Sequence, residues 1–85
     1  MHNGWTNRET WAKEVELANN QALYTQAMEI VRGAIASSAP GTKAREEAIE
    51  ALADTLRSNF SRSAAERTAV NWQELAETWV ANIGV

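Results

Sequence analysis

Apolar side chains recur three and four residues apart in four stretches of this chain, the spacing of helices that bury one face. Nowhere do apolar and polar residues alternate for long enough to make a strand. The first stretch predicts a helix over about 7–18. Trp11, Val15 and Ala18 share one side, with Ala12 and Leu17 beside them, and Lys13, Glu14 and Glu16 take the other. The second predicts a helix over 21–35, whose stripe is Leu23, Ala27, Ile30, Val31, Ala34 and Ile35. Gly33 weakens that helix unless a close crossing or fraying end explains it. The third covers about 43–59, with Ala48, Ile49, Leu52, Ala53, Leu56 and Phe60 inward. The fourth covers 72–83, with Trp72, Leu75, Ala76, Trp79 and Ile83 inward and Gly84 as its stop. Between the last two, Ser63 and Glu66 have capping-box spacing, which allows a short helical piece or a polar loop. The pattern predicts an all-α fold, a single domain over 1–85. It is a small four-helix bundle that starts with an antiparallel helical hairpin, because only Asn19 and Asn20 separate the first two helices.

Helix-start signals sharpen these boundaries. Thr6 and Glu9 match a capping box, in which the Thr6 hydroxyl accepts from the N–H of Glu9 and the Glu9 carboxylate reaches back. Thr42 is placed to cap the third helix after the loop Ser37-Ser38-Ala39-Pro40-Gly41. Asn71 and Glu74 repeat the box at the last helix, with Val70 and Leu75 as a hydrophobic staple. Of the four tryptophans, Trp11 and Trp79 are expected to fill the core. Trp5 and Trp72 stand at helix entrances and are expected to be half exposed. Trp5, Asn7, Arg8 and Trp72 are therefore the candidate contact residues, since Trp and Arg are over-represented among binding hot spots.

The run Gly4-Trp5-Thr6-Asn7-Arg8-Glu9-Thr10-Trp11 resembles the opening of a family of small proteins from phages, plasmids and bacterial genomes, which reads Gly-Trp-x-Asn-Arg-Glu-Thr-Trp. Asn19-Asn20-Gln21-Ala22-Leu23-Tyr24 is similar to the turn that follows in that family, and Val70-Asn71-Trp72-Gln73-Glu74-Leu75-Ala76-Glu77 to its closing helix. The chain departs from the family after Trp11, where Ala12 to Leu17 is more charged, and its middle third has no counterpart. The resemblance implies a mobile-element origin and a helical fold. It implies no activity.

Composition narrows the function classes. An 85-residue chain with 45% apolar residues supports one small core. The absence of cysteine removes disulfides and thiol chemistry and fits a bacterial cytoplasm. No apolar run approaches the roughly 18 residues of a membrane span, and the opening lacks signal-peptide organisation. A net charge of −3 without a basic run disfavours nucleic acid, although Arg57, Arg62 and Arg67 form a loose basic region that keeps the option open. His2 is the only histidine, so neither a conventional zinc site nor a hydroxyl–imidazole nucleophile is available. Glu46 with Glu50, Glu47 with Glu50 and Glu74 with Glu77 lie beside the apolar stripes, as solvated faces do. The expectation is a non-enzymatic protein without cofactor or metal, whose partner is another protein. A nucleic-acid regulator or a homo-oligomeric accessory protein are the alternatives.

Overall fold

The computed structural model describes residues 4–83, without the side chain of Ile83; His2 and Gly84, named above, lie outside the described residues. Five helices follow one another: α1 (Arg8–Asn19), α2 (Gln21–Ile35), α3 (Lys43–Phe60), α4 (Ala64–Ala69) and α5 (Trp72–Ile83). No strand occurs among the described residues. The all-α expectation holds, with five helices where the apolar pattern marks four; the extra one is α4, the stretch that allowed either a short helix or a loop.

The largest interface joins α3 to α5, and α2 packs on α3, α1 and α5. Leu52, Leu56 and Phe60 of α3 meet Trp72, Leu75 and Trp79 of α5 in one core with Ala27, Met28 and Val31 of α2. Burying a side chain such as Leu56 or Leu75, both 0% exposed, stabilises the fold by about 1.5–3 kcal/mol each. Met28 and Val80 join the stripes that the spacing predicts. Gly33 is not explained by a close crossing, because a Cβ there would meet nothing within 4 Å. Gly41 has φ +79, a left-handed turn that glycine adopts without strain. The loop it belongs to is stapled by Arg45, which donates from Nε to Ser38 Oγ at 3.0 Å and from Nη2 to the Ser38 carbonyl at 2.6 Å.

The caps of α3 and α4 form where the spacing places them, with Thr42 and Ser63 accepting from Arg45 and Glu66, and Asn20 caps α2 by accepting from Leu23. Asn71 accepts from the Glu74 N–H at 3.0 Å, and its staple partners Val70 and Leu75 are both buried, but the box is not closed: the Glu74 carboxylate accepts from Thr6, and the Asn71 N–H donates to Thr10 Oγ1. The start of α1 differs. Asn7, not Thr6, is the N-cap, with Oδ1 accepting from the Thr10 N–H at 2.9 Å. Thr6 is displaced from that role because its own N–H donates to the Glu74 carboxylate, at 3.0 and 3.2 Å, which ties the chain before α1 to α5. Replacing Asn7 with Ala should therefore lower unfolding free energy by about 1–2 kcal/mol, and replacing Thr6 with Ala by less than about 0.5 kcal/mol, in denaturant titrations.

The buried face of α1 is also a correction. It consists of Thr10, Lys13 and Leu17, while Trp11 and Val15 are half-buried and Ala18 is exposed. Two polar residues face inward because each finds partners there. Thr10 Oγ1 donates to Asn7 Oδ1 at 2.6 Å and accepts from the Asn71 N–H at 2.8 Å. Lys13 enters the cluster described next. No buried side-chain nitrogen or oxygen among the described residues lacks a partner.

Candidate functional site

The opening segment is held in place by polar bonds from three helices. Asn7 uses both ends of its amide: Oδ1 caps α1, and Nδ2 donates to the Ala69 carbonyl at the end of α4, at 2.8 Å. Thr6 is bonded to Glu74 of α5, and Thr10 to Asn71 before it. Trp5 lies half-buried against the core, and Arg8 is exposed on the first turn of α1. The result is a bonded Thr6–Asn7 clasp, with Trp5 preceding it and Arg8 following it in the chain.

The four candidate contact residues do not form one patch. Trp5 is half-buried, as expected, and Arg8 is exposed. Asn7 is half-buried with both amide atoms engaged in holding the fold. Trp72 is a correction: it is 5% exposed, not half exposed. As the first residue of α5 it turns into the core, and its Nε1 donates to the Arg67 carbonyl at 3.3 Å, so even its polar edge is satisfied internally.

Beside the clasp lies an open groove of about 750 Å³. Thr6 and Asn7, Asp54 and Arg57 of α3, Arg67 of α4 and Gln73 of α5 line it, and the buried Ala53, Val70 and Trp72 reach it from the core. Residue spacing could not reveal it, since it joins segments more than 40 positions apart. The basic region is divided by pairing. Arg57 Nη2 lies 3.0 Å from Asp54 Oδ1, and Arg62 Nε lies 3.3 Å from Glu16 Oε2, so two of the three guanidinium charges are opposed by carboxylates. That weakens any attraction for a phosphate backbone. A smaller groove of about 290 Å³ carries Glu46, Glu50 and Glu77. Among the described residues no group of three His, Cys, Asp or Glu is placed to hold a metal ion. No described helix is long and apolar enough to cross a membrane.

The second polar cluster was not visible as a site in the sequence. Lys13 is 2% exposed, and its Nζ donates to the Phe60 carbonyl at 3.0 Å and meets Glu66 Oε1 at 2.9 Å and Glu16 Oε1 at 3.3 Å. One ammonium thus satisfies the end of α3, α4 and its own helix, using all three of its donors. The hydrogen bond from Lys13, and then that from the Arg62 N–H, hold the Glu66 carboxyl below the usual carboxylate range. The cluster joins α1, α3 and α4 around one buried charge.

No family model, characterised protein or solved structure matches this chain.

Proposed function

We propose that this chain is a non-enzymatic protein-binding module carried by a phage or other mobile element. It acts in the cytoplasm of a bacterial host by occupying a host or phage protein, as a counter-defence or host-modulating factor. The observation that carries the reading is the pinned edge: Arg8 exposed beside half-buried Trp5, on a segment fixed by Glu74, Asn71 and Ala69. A backbone segment held in place before binding loses less freedom on binding, so such an edge is a better contact than a mobile tail. The mobile-element assignment is supported by the resemblance of residues 4–11. Asn7 serves the edge by holding it, and Trp72 belongs to the core and bonds Arg67.

Affinity capture from bacterial lysate tests this. The wild-type chain should enrich a partner protein that Trp5→Ala and Arg8→Ala recover poorly. Equal recovery by all three removes the edge. Enrichment of nucleic acid or only of further copies of the chain replaces this function by a regulatory or a self-assembling one.

A further inference from the structure

The segment between Phe60 and Val70 is anchored differently from the rest of the molecule. Phe60 and Val70 are 7% and 4% exposed and belong to the core, but α4 between them buries no residue. A helix of six residues has no stability of its own in water. Its position therefore depends on what holds it from outside. Those holds are polar: Glu66 on Lys13 at 2.9 Å, Arg62 Nε on Glu16 at 3.3 Å, Ser61 Oγ on the Arg57 carbonyl at 2.6 Å, the Ala69 carbonyl on Asn7 Nδ2 at 2.8 Å and the Arg67 carbonyl on Trp72 Nε1 at 3.3 Å. Lifting the segment takes no buried side chain of α4 out of the core.

We propose that residues 61–69 form an acid-released strap, latched by Lys13 on Glu66, that opens while the helical core stays folded. The charged groups around the latch are Lys13 and Glu16 from α1 and Arg62 from the strap itself. The end of α3 presents only the Phe60 carbonyl. Arg62 also donates its backbone N–H to Glu66 Oε1 at 2.8 Å, so the Glu66 carboxylate closes both ends of the latch. Protonating Glu66 removes the charge that both donors point at. Because the folded chain holds this carboxyl below its ordinary value of 4.5, the latch contributes fully above that value and is lost as pH falls through the lowered one. Arg67, Thr68 and Ala69 line the larger groove, so opening the strap also removes one of its walls. The strap shares the Asn7–Ala69 bond with the pinned edge, which keeps its bonds to Glu74 and Asn71 when the strap opens, and the test of the strap needs no partner.

Native-state amide hydrogen exchange on the full chain, expressed as protection factors, reads the strap directly. The reporters are the amides of Arg67, which donates to the Ser63 carbonyl, and Val70, which donates to the Glu66 carbonyl. At about pH 7 they should be protected about tenfold less than the amides of Leu56 and Leu75, and at about pH 3.5 about tenfold less again while the core pair hold. Glu66→Gln at neutral pH should reproduce the acid value at the reporters. The strap is overturned if the reporters match the core at both pH values. It is also overturned if acid and Glu66→Gln leave the reporters unchanged, or if reporters and core lose protection together.

Discussion

Replacing Lys13 with Met should lower the unfolding free energy by about 3 kcal/mol, a large share of the stability of so small a domain. Methionine fills nearly the same volume, so the loss measures the polar bonds and not a cavity. Three consequences combine. The Phe60 carbonyl loses its donor, and Glu16 and Glu66 lose the cation between them. The carboxylates are 30% and 31% exposed, so water partly compensates them, which puts the effect at the low end for breaking a buried pair. Guanidinium titration gives the number. Adding Glu66→Gln to Lys13→Met should cost at least about 1 kcal/mol less than the two single losses added, because the same bond is removed twice. A loss under about 1 kcal/mol for Lys13→Met would mean that the ammonium is solvated.

Trp72→Ala is expected to remove about 3–5 kcal/mol and leave much of the chain unfolded at room temperature. The indole is 5% exposed and packs in the core shared by α3 and α5, and its loss also frees the Arg67 carbonyl. A contact residue standing half in solvent would cost less than about 1.5 kcal/mol. Denaturant midpoints followed by circular dichroism separate the two cases.

Both positions show where reading the chain by pattern succeeds and where it stops. The stripes of α2, α3 and, as far as Trp79, α5 and the caps Thr42 and Asn71 are local features, set by residues within one or two turns, and they stand in the structure as the spacing predicts. The inward face of α1 is not local. Lys13 reads as solvent-facing because it is polar and Thr10 lies outside the apolar stripe, and their burial depends on Asn71, Phe60 and Glu66, which lie 47 to 61 positions away. Thr6 and Asn7 are adjacent and both able to cap. The choice between them falls to Glu74 and the Ala69 carbonyl, from the far end of the chain. Trp72 illustrates the same limit, since a helix-entrance position gives no sign of the direction in which the ring turns. The α4 helix was signalled by Ser63 and Glu66, but a six-residue helix without a buried face leaves no apolar stripe to find. Of the candidate contact residues, Arg8 and Trp5 keep that role in the proposal because their surroundings leave them at the surface or close to it.

The edge beside the clasp is proposed as a contact surface and not only as a way to start a helix. Charge reversal at Arg8 tests it most directly, because this exposed side chain enters none of the bonds that hold the clasp. The control is reversal at Arg32, an exposed residue on α2 that does not line the groove, which changes net charge equally. In quantitative affinity capture from bacterial lysate, Arg8→Glu should lower recovery of the partner about tenfold or more, while Arg32→Glu retains it. Equal recovery by both variants, with the fold intact, would contradict the account and leave the opening segment a structural element alone.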